Sequence, residues 1–319
     1  MQILVTGDVL AKSTVREFQQ HNVAVINKPA NLTENTLADT IKDVDGYILG
    51  GSEKVTGRVI NAAEKLKIIV FWGTQPQTFF TSGAIDEMKK RGIILETTGS
   101  SVGAVAEMTV FLIGAAIRDI PYLVSEIYRG KWDQVKGREI KGKTLGIIGL
   151  GRIGQSVVKK LSGFELREVI YYDVRRNEKA EQELGVKFVK LPELLSKSDI
   201  VSLHSPLLPQ TMGMIGKDQL SMMKPTAVLV NAARPQLVDP GDLYDALNKG
   251  TIAKAVFDGY YVESADFSLK AAGKLMTLPM TKFWFTPHAA FNTREGDLEQ
   301  SETAFNLMIQ ALSEQSSAA

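Results

Sequence analysis

The sequence predicts an α/β protein built from two doubly wound parallel-sheet domains, and three observations lead there. Short apolar runs alternate with segments of helical spacing along the whole chain, the rhythm of βα units with right-handed crossovers. One unit carries a glycine-rich turn between its strand and its helix. The 319 residues are enough for two domains of ordinary size.

In the first part, residues 3–6, 23–26, 47–49, 68–71 and 93–95 read as strands. Residues 14–20, 36–41, 55–63 and 84–90 read as the helices between them. The connection at 71–81, FWGTQPQTFFT, is long for a strand-to-helix loop, and long loops at strand C-termini are often functional. GSSVG at 99–103 breaks the composition and reads as a hinge. Residues 104–117 then form an apolar helix covered on more than one face, either in a core or against a second subunit. A polar segment, 129–143, leads into the glycine-rich stretch.

That stretch, 144–173, is TLGIIGLGRIGQSVVKKLSGFELREVIYYD. The apolar run 145–148 precedes Gly149, Gly151 and Gly154, and a helical pattern follows over 153–161. A second apolar run, 169–172, ends at Asp173, about 20 residues beyond the last glycine. The first glycine allows a tight turn, the second lets the backbone approach a pyrophosphate, and the third packs the helix on the strand. Unpaired N–H groups at the helix start then face the phosphates, and the acid holds ribose hydroxyls. Strand, turn, helix, strand and acid in this order predict a dinucleotide site. Asp173 accepts from a 2′-hydroxyl and repels a 2′-phosphate, so NAD is expected over NADP, although Arg175 and Arg176 soften that preference.

Further strands are expected at 186–189, 199–204, 226–230, 252–257 and 283–285. A short helix begins at 191–195. Another spans 239–248, with Asp239 as cap and Pro240 as its first residue. A long helix at 293–312 is placed to return to the first domain. Ligands of open α/β sheets lie beyond strand C-termini, and His204, Arg234, Asp258 and His288 occupy such positions, with Glu263 just after Asp258.

Those residue types suit hydride transfer on a 2-oxo or 2-hydroxy acid. A fixed guanidinium holds the carboxylate and polarises the carbonyl, a role for Arg234. An imidazole tuned near neutral pH moves the proton, a role for His288. A carboxylate orients that imidazole and stabilises its charged form, a role for Glu263. His204 is read as a structural residue beside the cofactor.

The chain resembles the D-isomer-specific 2-hydroxyacid dehydrogenase family. The resemblance spans nearly its whole length. It rests on RGI at 91–93, VAE at 105–107, GKTLGIIGLGRIG at 142–154 and Asp173. HSPLLPQT at 204–211, NAAR at 231–234, Asp258 with Glu263, and TPHAAFNT at 286–293 complete it. It implies a Rossmann NAD-binding domain, 101–289, inserted into a flavodoxin-like substrate domain, 1–100 plus 290–319, with the active site between them. It also implies that Arg234 binds substrate, that Glu263 and His288 form the acid–base pair, and that Asp258 touches the nicotinamide amide. Gly149, Gly151, Arg152, Ile153, Gly154, Asp173, His204, Pro206, Thr211, Ala232 and Ala290 are expected around the cofactor. Trp72, Gly73 and Thr74 are expected beside the substrate, where the family uses loop N–H groups to hold its carboxylate. The family dimerises through the cofactor domain.

Three departures mark this chain. Pro235 stands where the family has glycine, so the turn after Arg234 is reset. Gly259-Tyr260-Tyr261 replaces the usual residues after Asp258. The short Gly-x-Asp signature of the substrate loop gives way to residues 72–80, whose Trp72, Phe79 and Phe80, with Tyr260 and Tyr261, are candidates to shape the pocket, although aromatic residues more often serve packing than recognition. The triad also fits phosphite oxidation; formate oxidation is disfavoured because it uses Gln where Glu263 stands. A non-enzymatic NAD(H)-sensing corepressor is a further alternative, without an extra tail or basic arm to support it.

Composition narrows the field. Of the residues, 44% are hydrophobic and 23% charged, and the net charge of +1 gives no strong field for nucleic acid or membrane. With no cysteine, disulfides, thiolate metal sites and cysteine nucleophiles are excluded, and a reducing, cytoplasmic setting fits. No metal is expected. The N-terminus reads as a strand and not as a signal peptide.

Overall fold

The computed structural model describes residues 1–316 except 52, 75, 77, 78, 100, 263–267 and 269–272. It divides into two compact units, Met1–Ser101 with Asn292–Ala319, and Val102–Phe291.

In the first unit the strands are β1 (Gln2–Thr6), β2 (Ala24–Lys28), β3 (Gly46–Leu49), β4 (Ile68–Phe71) and β5 (Ile94–Thr97). All pairs are parallel and the order is β2-β1-β3-β4-β5, the flavodoxin-like arrangement. Both faces of the sheet are covered. In β1, Ile3 and Val5 pack with Met308 and Leu312 of the helix Arg294–Ser316, while Leu4 packs with Leu37 and Ile60 on the other face. This double burial explains why the strands read as unbroken apolar runs. The helix Arg294–Ser316 belongs to the first unit. Arg91 of the RGI motif donates to the carbonyls of Ile60 and Ala63, closing the end of the helix Gly57–Ala62.

The second unit contains β6 (Thr144–Ile148), β7 (Glu168–Tyr172), β8 (Lys187–Phe188), β9 (Ile200–Leu203), β10 (Val228–Asn231), β11 (Lys254–Asp258) and β12 (Phe283–Thr286). The order β12-β11-β10-β9-β6-β7-β8 is that of a Rossmann sheet with one added strand. Its direction of winding reverses between β6 and β9, which opens a crevice at their C-terminal ends. One face carries Leu203, Leu229 and Phe257. The other carries Ile147, Val230 and Val256, together with the buried side of the helix Val102–Arg118. The expected cap forms: Asp239 accepts from the Asp242 N–H at 2.9 Å, with Pro240 first in the helix Pro240–Lys249.

Three helices escape a reading of periodicity: Ile120–Tyr128, Glu178–Leu184 and Lys217–Met222. The last two are short and mostly polar, so their apolar stripe is faint. The first follows a break at Asp119, whose positive φ of 55° ends the preceding helix. Lys254, 4% exposed, donates to the Ala116 carbonyl and pairs with Asp119, tying that break to the sheet. Among the described residues no single helix is long and apolar enough to cross a membrane. Val102–Arg118 and Ile120–Tyr128 would suffice only together, and they are bent by 65°.

Candidate active site

The glycine turn sits where the winding of the second sheet reverses. Gly149 adopts φ 96°, and a Cβ there would stand 2.8 Å from the His204 carbonyl carbon and 2.9 Å from its oxygen. Only glycine lets the turn after β6 lie this close to the end of β9. A Cβ on Gly154 would strike the Gly149 carbonyl oxygen, so the third glycine serves packing. At Gly151 the space beyond Cα is open, and Gly151 provides no side-chain cap for the helix Arg152–Leu161. The first-turn N–H groups thus face a cradle free of side chain, which fits a pyrophosphate. Arg152 is exposed and Ile153 is partly buried against the core.

Asp173 follows β7. Its Oδ2 accepts from the Leu150 N–H at 2.8 Å and its Oδ1 from Val174 N–H at 2.7 Å. The acid is thereby fixed beside the glycine turn, with acceptor capacity remaining on both oxygens for ribose hydroxyls. His204 continues β9, with its N–H on the Ile148 carbonyl at 2.7 Å and its Nε2 2.9 Å from Ser202 Oγ. Burial pushes its imidazole down to about 4, so it is neutral at physiological pH, in keeping with a structural reading. Thr211 closes the loop that follows, donating to the Pro206 carbonyl at 2.7 Å and accepting from Leu208 N–H at 2.8 Å.

Arg234 comes three residues after β10, next to Ala232 and Ala233. Asn231, 1% exposed, holds this turn from inside. Its Nδ2 donates to the Arg234 carbonyl at 2.8 Å and its Oδ1 accepts from Ala233 N–H at 3.0 Å. Pro235 is accommodated as the first residue of a 3₁₀ turn, Pro235–Leu237, where no N–H is required. In the sequence Asn231 is only the first letter of NAAR; its clamp forms in the folded turn.

Asp258, at the end of β11 and 2% exposed, accepts three hydrogen bonds from the last residue of β12 and the segment after it. They come from Thr286 Oγ1 at 2.6 Å, Ala289 N–H at 2.9 Å and Ala290 N–H at 2.8 Å. Between these anchors the His288 N–H closes on the Thr286 carbonyl at 2.8 Å, and His288 takes a positive φ of 53°. A β-carbon-bearing residue in that region costs about 1–2 kcal/mol, which the Asp258 anchors offset. The carboxylate expected to touch the nicotinamide thus also builds the turn that presents His288. Glu263 lies outside the described residues.

Tyr260 and Tyr261 pack inward. Tyr260 is 3% exposed and stacks on Phe285 at 4.5 Å, and the Tyr261 hydroxyl donates to the Val238 carbonyl at 2.9 Å. Phe80 is likewise buried, against the core of the first unit. These aromatics belong to packing. In the first unit Trp72 N–H donates to the Leu49 carbonyl at 2.9 Å and Gly73 N–H to Thr98 Oγ1 at 3.0 Å. Both donors serve the fold in this conformation; Thr74 is exposed. No group of three or more His, Asp or Glu residues suited to a metal occurs among the described residues.

A Rossmann crevice with a glycine cradle and an acid beside it, with Arg234 and His288 following β10 and β12 on either side of β11, is the arrangement of a dinucleotide-binding domain. Residues 110–290 match the family model of the D-isomer specific 2-hydroxyacid dehydrogenase NAD binding domain. The chain is 38% identical over 266 residues to a D-3-phosphoglycerate dehydrogenase of Methanocaldococcus jannaschii, covering 82% of this chain and 49% of that protein. It is 37% identical over 287 residues to a glyoxylate reductase of Thermofilum pendens, covering 86% of this chain and 80% of that one. The crystal structure of a D-lactate dehydrogenase with NAD⁺ from Lactobacillus jensenii superposes with a TM-score of 0.79 at 27% identity, over 98% of this chain and 97% of that one. The chain therefore belongs to the D-isomer-specific 2-hydroxyacid dehydrogenase family, and its cofactor is NAD. It spans about half the length of the phosphoglycerate dehydrogenases it matches.

Proposed function

We propose that this protein interconverts a small 2-oxo acid and the corresponding D-2-hydroxy acid with NAD(H). The observation that carries the reading is the turn at His288, held at positive φ by Asp258 at the end of β11, whose other neighbour, β10, delivers Arg234. NAD supplies or accepts the hydride at its nicotinamide ring. Gly149, Gly151, Gly154 and Asp173 would hold its pyrophosphate and ribose, with Pro206, Thr211, Ala232 and Ala290 alongside. Arg234 binds the substrate carboxylate and polarises the carbonyl. His288 donates the proton to the carbonyl oxygen in reduction and removes it in oxidation, while Glu263 stabilises the imidazolium. Trp72, Gly73 and Thr74 are assigned to the substrate through side chains and remaining backbone groups. The family match and the 80% coverage of a glyoxylate reductase favour glyoxylate-sized 2-oxo acids over phosphorylated ones.

Purified protein with NADH and a panel of glyoxylate, pyruvate, hydroxypyruvate and 3-phosphohydroxypyruvate tests the assignment. NADH consumption with at least one is expected. Cofactor bound without turnover on any would refute it. His288→Ala should lower kcat by about a hundredfold or more with NADH affinity kept.

A homodimer through the cofactor domain is part of this proposal. Phe111, Ile120, Val124, Ile127, Tyr128 and Trp132 are all exposed along and just after the bent helix pair, more apolar surface than a monomer ordinarily leaves in one region. Light scattering should give twice the chain mass. A cytoplasmic location is proposed on the absence of cysteine and is tested by cell fractionation.

A further inference from the structure

Asp173 and the glycines account for a dinucleotide, but not for two adjacent arginines at the same place. A cavity of about 500 Å³ beside the glycine turn is lined by Leu150, Asp173, Arg175, Arg176, Asn177 and Glu178. A cation here is what a 2′-phosphate needs, and this cavity has two. They are not equivalent. Arg176 is held by Glu181 as a fork, Nε to Oε1 and Nη2 to Oε2, both at 2.8 Å, with Glu178 a further 3.6 Å from Nη1. Arg175 is exposed and makes no ion pair among the described residues.

The restraint on Arg176 is itself anchored. Glu181 Oε1 also accepts from the hydroxyl of Tyr171, a fully buried side chain of β7, at 2.8 Å. Tyr171 accepts from the Asn177 N–H, and Asn177 caps the helix Glu178–Leu184 that carries Glu181. Glu181 therefore cannot swing with Arg176 toward a ligand. The guanidinium holds the Glu181 carboxyl down to about 2, so the fork persists across the working pH range.

We propose that Glu181 is a specificity-determining residue for the cofactor. By holding Arg176 in a bidentate pair anchored on Tyr171, it withholds that cation from a 2′-phosphate. Preference for NAD over NADP then rests on two acids: Asp173, beside the glycine turn, and Glu181, which restrains one of the two cations of the cavity. Glu181 does not line the cavity and acts through Arg176.

The test is calorimetric titration of the full chain with adenosine 2′,5′-bisphosphate and with 5′-AMP, taking the ratio of the two affinities. Glu181→Gln keeps an acceptor for the Tyr171 hydroxyl and removes the charge that holds Arg176. It should raise the ratio about tenfold, the value of one charge-assisted hydrogen bond gained. Adding Arg176→Gln should return the ratio to the wild-type value. Arg176→Gln alone should leave it unchanged, because the restrained guanidinium contributes nothing in the parent, and this variant decides the matter if Glu181→Gln does not fold. The proposal is overturned by an unchanged ratio in folded Glu181→Gln, by a gain that survives the double substitution, or by a lowered ratio in Arg176→Gln alone. Loss of 5′-AMP binding in the parent protein would overturn the dinucleotide site itself, a separate and recognisable failure.

Discussion

Asp258→Asn should damage both the stability and the catalysis of this protein, through the same three hydrogen bonds. In the parent, Oδ1 accepts from Thr286 Oγ1 and Ala289 N–H, and Oδ2 accepts from Ala290 N–H, in a site that is 2% exposed. Asparagine offers one acceptor oxygen and one donor group. Whichever way the amide turns, at least one backbone N–H faces another N–H with no water to replace the partner. One charge-assisted bond is lost and its donor stays buried, a cost of about 1.5–3 kcal/mol. Those bonds hold His288 at φ 53°, so the turn relaxes toward ordinary φ values when they weaken. A displacement of about 1 Å in a proton donor costs about a hundredfold in rate. Urea unfolding followed by circular dichroism should show a stability loss of about 2 kcal/mol, and steady-state turnover on the best 2-oxo acid should fall about a hundredfold. A variant within 0.5 kcal/mol of the parent, or one that is destabilised but fully active, would refute the link between Asp258 and the His288 turn.

Gly149→Ala should cost more than about 2 kcal/mol, because its Cβ meets backbone atoms of His204 at φ 96°, whereas Gly163→Ala meets nothing within 4 Å and should be near neutral. Thermal melting of the two variants side by side checks this. His204 is neutral in the fold with its imidazole at about 4, against an unfolded value near 6.5. Its contribution is complete above about pH 6.5 and is lost as pH falls through 4. Urea midpoints between pH 7 and 4 should decline more steeply for the parent than for His204→Gln; parallel curves would count against the assignment. Lys254→Met removes the partner of Asp119 and the donor to Ala116 at a site 4% exposed. It should destabilise by about 3 kcal/mol, and Lys254→Met with Asp119→Asn should recover part of that in a double-mutant cycle.

The sequence alone determined that strands and helices alternate in parallel-sheet units, because strands buried on two faces must be apolar along their whole length and their helices must repeat with period 3.6; the strand orders came from the fold. It also determined the dinucleotide turn. Gly149 and Gly154 are glycines because a Cβ at either position would strike backbone, and such a requirement is written in one letter. Arg234, Asp258 and His288 were legible because their residue types and strand-end positions are local facts. The tertiary structure decided what local facts cannot contain. Asp258 and Ala290 are far apart in the chain, so the clamp that sets His288 exists only once β11 and β12 pair. Tyr260 and Tyr261 proved to be packing, because Tyr260 lies against Phe283 and Phe285 and Tyr261 against Phe257, partners remote from or unmarked in the local sequence. Arg175 and Arg176 look alike in sequence, but folding places one against Glu181 and leaves the other exposed. Residue type sets which chemistry is available; the distances between residues remote in sequence set which of it is used.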